Sequence, residues 1–302
     1  MTLGGGRPRR AKRRNRMKRL GLWASIALSV AAFAFLYRAV IAKLVYDWIN
    51  DGNYSHGFLI VPVAAYLVWE RRKKLTATPI APSIFGLVLL AGSLATLTAG
   101  ILGAELFLSR VSMIGVVAGT VLFTTGWRYL RVLMFPLAFL LLMIPIPAII
   151  FNEIAFPLQL LASRGAEVTL STAHIPVLRE GNIIVLANTT LEVAEACSGI
   201  RSLISLVTLA IIYGYFTDDR IWARVALTLA AVPVAVAANA ARVAGTGVAA
   251  HYYGPEAAEG FFHTFSGWIL FVVAFVMLFA IQKLLSTWHP AGRLRGMRVA
   301  EV

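Results

Sequence analysis

Residues 84–103 read IFGLVLLAGSLATLTAGILG, twenty positions without a charged side chain. A helix rises 1.5 Å per residue, so about twenty apolar residues cross a hydrocarbon core roughly 30 Å thick. This stretch therefore predicts a membrane-spanning helix. Moving outward from it, the same reading recurs over 20–42, 56–69, 105–126, 130–151, 199–216, 222–247 and 264–284. The expected fold is an all-α, polytopic integral membrane protein with about eight transmembrane helices. Composition agrees: of 302 residues 59% are hydrophobic and 14% charged, with mean hydropathy +0.77, whereas a soluble domain carries about 25% charged residues.

The net charge of +14 is unevenly placed. Nine of the 28 basic residues, from Arg7 to Arg19, precede the apolar run that starts at Leu20. A cluster there is attracted to anionic cytoplasmic lipid, so membrane lipid and not nucleic acid is its expected partner. The run from 20 to 42 is too long for a signal-peptide core and is read as a retained anchor. With the N-terminus inside, alternate loops should carry the Lys/Arg excess. They hold Arg71, Arg72, Lys73 and Lys74, then Arg128 and Arg131, then Arg220 and Arg224, then Lys283, Arg293, Arg295 and Arg298, which puts 21 of 28 basic residues on one side. The expected organisation is a basic cytoplasmic tail over 1–19, a membrane-embedded domain over 20–285 and a basic cytoplasmic tail over 286–302. The longest external loop is about 152–196. Its Phe156–Leu161 segment is suited to lying flat in the interface, and Gly181-Asn182 within 176–193 suggests a short hairpin.

The single cysteine excludes an intramolecular disulfide. Cys197 lies in Glu195-Ala196-Cys197-Ser198-Gly199-Ile200-Arg201-Ser202, where the external loop enters the sixth span. A thiol at a helix N-terminus sees unpaired N–H groups that favour thiolate, and Arg201, four residues on, adds a cation on the same face. Simple packing of a small hydrophobe suits a polar water boundary poorly. The seventh span carries Asn239 and then Arg242 near its outer end, among small residues that invite close helix contact. His263 opens the eighth span on the same side. A nucleophile, a cationic clamp and a proton carrier thus reach one leaflet on three consecutive helices, the set that thiol acyl transfer needs. Glu195 or Glu259 could orient His263. No nucleotide-binding glycine loop or metal-ligand spacing occurs, and no cofactor is expected.

These blocks, with Asn239-x-x-Arg242-Val243, His263-Thr264-Phe265-Ser266-Gly267-Trp268 and Tyr54-Ser55-His56-Gly57-Phe58-Leu59, resemble the exosortase/archaeosortase family of membrane cysteine peptidases, over about residues 45–284. The resemblance implies cleavage, with transpeptidation, of C-terminal sorting signals on exported proteins at the outer face of a bacterial inner membrane. Such signals join a short Pro-Glu-Pro-like motif, a transmembrane helix and a basic tail, and the cleaved protein passes to an acceptor nucleophile. It implies Cys197 as nucleophile with Arg242 and His263 as catalytic partners. Arg201, Glu195, Ser198, Asn239 and His56 are candidate supporting or substrate-binding residues. His56, at a helix start, reads first as a backbone cap and second as a substrate contact. The competing readings are a membrane carrier binding an anion through Arg201 and Arg242, a non-catalytic scaffold for envelope polymer export, and a transferase on lipid-linked sugar. The last lacks the acidic metal site it would use.

Overall fold

The computed structural model describes residues 7–193, 199–254, 256 and 261–288, with backbone alone for 7–20, 22, 199–200, 261–266 and 288. It is all-α apart from one small sheet. Helices α1 (Arg7–Leu36), α2 (Arg38–Asn50), α3 (Gly57–Glu70), α4 (Arg72–Ala77), α5 (Phe85–Leu102), α6 (Leu106–Thr125), α7 (Trp127–Phe139) and α8 (Ala148–Thr172) precede strands β1 (Val177–Glu180), β2 (Ile183–Leu186) and β3 (Thr190–Glu192). Helices α9 (Gly199–Thr217), α10 (Ile221–Tyr253) and α11 (Phe261–Trp288) follow.

Among the described residues, four helices are individually long and apolar enough to cross a membrane: α5, α6, α10 and the 267–287 part of α11. Two interrupted pairs raise the number to six. On this measure the expected eight spans are matched in part, by four to six among the described residues. At 14 residues, α3 extends about 21 Å, short of a hydrocarbon core. The apolar part of α9, Arg201–Thr217, is also short. The 20–42 run is not one straight helix, because the chain bends by 66° between Trp23–Leu36 and Arg38–Asn50. The 130–151 run is broken after Met143, where Pro145 and Pro147 lack N–H donors and push the residues before them out of helical geometry. The chain then re-enters a helix that continues to Thr172, so much of the expected 152–196 loop is α8.

The chain divides into two compact units, residues 1–50 with 60–144, and residues 51–59 with 145–302. In the first, α5 and α6 form a tight hairpin on small residues. A Cβ on Gly86 would overlap the backbone of Phe123, and one on Gly119 would come within 2.9 Å of Leu90 N. Such close approach is how helices gain contact where lipid supplies no hydrophobic drive. Arg110 on α6, 2% exposed, is paired with Asp47 on α2, which also meets Lys43 at 2.9 Å. Tyr37 Oη and Ser112 Oγ lie 3.0 Å apart, joining the bend after α1 to the same helix.

The second unit is organised by α10, 33 residues and about 50 Å long. It packs on α8, α9 and α11. One apolar cluster joins Leu206 and Ala210 of α9, Leu227, Ala231, Val234 and Ala235 of α10, and Ala274 and Leu278 of α11. A second joins α8 and the far half of α10 to the sheet through Leu170, Val243, Ile184 and Leu191. The sheet is an antiparallel meander in the order β1-β2-β3, with Glu180 opposite Ile183 across the Gly181-Asn182 turn. Gly181, at φ 65°, supplies the left-handed residue that this tight turn uses. Alternation along β2 buries Ile184 and Leu186 against the cluster.

Candidate active site

At one end of the α9–α10–α11 group the connection is polar and closed. Arg220 donates through Nε to Asp218 Oδ1 at 2.9 Å and through Nη2 to Asp218 Oδ2 at 2.7 Å. Its Nη2 also reaches Leu285 O, and Gln282 Nε2 reaches Asp218 Oδ2 at 3.4 Å. The Arg220 hydrogen bonds hold the Asp218 carboxyl below the usual carboxylate range, against the opposing effect of burial. Three helices are thereby tied where α9 turns into α10.

Sixteen residues back along α9, about 24 Å, the same three helices enclose Arg242 and Asn239. Arg242 is 8% exposed and its guanidinium lies directly on Gly267 of α11. A Cβ at Gly267 would come within 3.0 Å of Arg242 Cζ and Nη2 and 3.3 Å of Nη1. Gly267 is one helical turn from His263 along the same face of α11. Asn239, three residues before Arg242, shares its face of α10. Ser202, Asn239, Arg242 and Gly267 line one small cavity of about 20 Å³, floored by Leu206, Ala235 and Phe271. Asn239 Oδ1 is buried and has no hydrogen-bond partner among the described residues. The void is large enough for a water molecule, and these groups provide the polar partners one requires.

Arg201, in the first turn of α9, does not line this cavity. Its guanidinium lies on Gly52, where a Cβ would overlap Cζ and Nη2 and sit 2.8 Å from Nε. Gly52 belongs to a 3₁₀ turn, Gly52–Tyr54, that the Asp51 side chain caps by accepting from Asn53 N at 2.9 Å. Ser55 Oγ donates to Gly52 O at 3.1 Å, and Tyr54 Oη donates to Ile146 O at 3.4 Å. His56 follows at the start of α3, its carbonyl accepting from Leu59 N at 2.9 Å and its ring 6.5 Å from that of Tyr54. The structure thus brings Arg242 and Asn239 together, and gives Arg201 separate surroundings.

Glu195, Cys197 and Ser198 lie outside the described residues, as does Glu259; for His263 the helix position is described and the side chain is not. Sequence reasoning missed the two glycines that seat the guanidinium groups. The signal for Gly267 was its place four residues after His263, and for Gly52 its place just before the Tyr54-Ser55-His56 block.

The sequence profile of the transmembrane exosortases matches residues 48–280. The chain belongs to the transmembrane exosortase family. Comparison with curated proteins and with solved structures gave no match. The matched range takes in Gly52, His56, Arg201, Asn239, Arg242 and Gly267, and its apolar helices make this exosortase a multi-pass membrane protein. The family is one of membrane cysteine peptidases and transpeptidases that process sorting signals on exported proteins. For an exosortase, a buried guanidinium shared between two helices offers a fixed donor set to an oxygen that gains charge.

Proposed function

We propose that this exosortase uses Cys197 to cleave C-terminal sorting signals on exported proteins and transfers the acyl group to an acceptor nucleophile. The signals combine a short Pro-Glu-Pro-like motif, a transmembrane helix and a basic tail. The observation that carries the reading is the Arg242 guanidinium held on Gly267, one turn from His263. Cys197 stands two residues before the first residue of α9, whose Ser202 lines the same cavity as Arg242.

The Cys197 thiolate attacks the scissile carbonyl carbon, forming a C–S bond while the carbonyl π electrons move onto oxygen. Arg242 donates N–H groups to that oxygen, and its burial keeps those donors from being screened by water. Collapse of the tetrahedral species re-forms the C=O and breaks the C–N bond. His263, as an imidazolium, gives its proton to the departing amine. The acceptor then attacks the thioester carbonyl and gives its proton to His263, and the C–S bond breaks to release the Cys197 thiolate. Asn239 positions Arg242 from the adjoining turn, and His56 serves the turn against which Arg201 rests. The basic tails and loops support both termini in the cytoplasm and the reacting groups at the outer face of the inner membrane.

The test is the size of a tagged exported protein that ends in such a signal, co-expressed with wild type or with Cys197→Ala, Arg242→Ala or His263→Ala at matched membrane levels. Processing by wild type and its loss in each variant is the expected result. Processing unchanged by Cys197→Ala would leave a carrier or scaffold as the better reading.

A further inference from the structure

Four consecutive cations, Arg71, Arg72, Lys73 and Lys74, stand where α3 ends and α4 begins, and Arg128 and Arg131 share a face at the start of α7. The two groups meet, because α4 packs on α7 and Arg71 crosses between them. Its Nη1 donates to Val132 O, one helical turn beyond Arg128, and its guanidinium lies 5.7 Å from the ring of Phe135, one turn beyond Arg131. Six cations stand against one acid, the exposed Glu70, which is the only acid between Asp51 and Glu105; none lies between Glu105 and Glu153. Among the described residues the side chains of Lys73, Lys74, Arg128 and Arg131 form no hydrogen bond or ion pair. α7 starts on Gly126 with no side-chain cap and no acid in its first turn, so Arg128 adds to the positive end of the helix dipole. Such crowding is relieved by an anion. The same corner is also apolar. Trp69, 3.9 Å under the Arg72 guanidinium, is 56% exposed, as is Trp127 at the start of α7, and the Tyr66 ring lies 5.8 Å from that of Trp69. Cations beside exposed indoles mark a surface at the level of lipid headgroups.

From this corner we propose that α3, α4 and α7 hold one phospholipid with two phosphates, of the cardiolipin kind. One phosphate sits on the cations of α4 and the second on Arg128 and Arg131, while Arg71 fixes the two groups relative to each other. A single phosphodiester brings one negative charge and leaves one of the two groups unneutralised. Free pyrophosphate offers the same charged groups but leaves the indoles bare, whereas a phospholipid covers them with its acyl chains. All of these residues belong to the first compact unit, whereas Arg242 and Asn239 belong to the second, so the lipid site is separate from the candidate active site.

The test is native mass spectrometry of the full-length protein in detergent, titrated with cardiolipin or phosphatidylglycerol. Wild type is expected to bind one cardiolipin about tenfold or more tightly than phosphatidylglycerol compared at equal phosphate, and to keep it in excess pyrophosphate. Arg128→Gln/Arg131→Gln and, separately, Arg72→Gln/Lys74→Gln are expected to weaken cardiolipin binding by about tenfold, and Arg128→Lys/Arg131→Lys, which keeps the charge, to hold it within about threefold. Arg9→Gln/Arg10→Gln/Arg13→Gln/Arg14→Gln removes more charge, from the N-terminal tail, and is expected to bind as wild type does. Equal binding of the two lipids by wild type overturns the inference, whatever the variants do. So does displacement of cardiolipin by pyrophosphate, which assigns the corner to a free phosphate compound. Unchanged binding in both glutamine pairs, or a loss in the tail variant as large as theirs, overturns it as well, because the attraction is then general to the basic surface.

Discussion

Replacing Gly267 by alanine separates stability from function at the proposed oxyanion donor. The added methyl would lie 3.0 Å from Arg242 Cζ and Nη2, so the guanidinium must yield by a few tenths of an ångström. Because the clash is with the far end of a side chain, the helices themselves need not move. Gly267 lies inside α11, where exchanging glycine for alanine stabilises a helix by roughly 0.5–1 kcal/mol. Loss of a whole oxyanion donor costs about 10²–10³ in kcat, and misplacement by about 1 Å costs about 10². A shift of a few tenths should therefore lower kcat by about three- to thirtyfold, with KM nearly unchanged because the donor acts in the transition state. The assay is single-turnover cleavage of a tagged reporter in proteoliposomes, paired with thermal unfolding of the same preparation. Slower cleavage with an equal or higher Tm is expected. A variant as fast as wild type would refute the placement of Arg242, and a lower Tm would refute the claim that only the side chain yields.

Three further outcomes follow from the helix contacts. Asp47→Asn should strip Arg110 of its main partner inside the first unit and cost about 3 kcal/mol, whereas Lys43→Gln, on the exposed arm of the same cluster, should cost under about 1 kcal/mol, both measured as thermal unfolding in detergent. Gly86→Val should abolish accumulation in the membrane, since its side chain would overlap Phe123 backbone, while Gly92→Ala, with open space around it, should accumulate normally by immunoblot. Asp218 has a folded pKa below its unfolded value of about 3.9, so its contribution to stability is full above that value and is lost as pH falls through the lower, folded one. Unfolding scans between pH 7 and 3 should show Asp218→Asn already destabilised at pH 7, with a smaller further loss than wild type below pH 4.

The α5–α6 hairpin was readable in the sequence because α5 is a long uncharged run, α6 carries Arg110 as its one charged residue, and only Gly103–Glu105 separates them. Helix breaks were harder. Apolar composition continues across Ile144-Pro145-Ile146-Pro147, so a hydropathy window joins what the two prolines divide, and α8 then extends into the segment expected as the external loop. Near Tyr37 no proline marks the bend at all. At the candidate site, Arg242 and Asn239 stood out as polar groups among alanines. Their seating could not be read, because whether Arg242 meets Gly267 depends on how α10 crosses α11, and Arg201 on Gly52 depends on a pairing nearly 150 residues apart in the chain. Each is a contact between a guanidinium and a missing side chain, which leaves no apolar periodicity to detect.

The central claim is covalent catalysis by Cys197, and the chain contains a single cysteine, so any thioester is assignable without ambiguity. The most direct measurement is mass spectrometry of wild-type enzyme quenched in acid during turnover of a reporter with no acceptor added. The expected species is the reporter's upstream fragment joined to the Cys197 peptide, released by hydroxylamine as a hydroxamate and absent from Cys197→Ala. Cleavage of the reporter by Cys197→Ala at the wild-type rate, with no adduct in either enzyme, would contradict the claim.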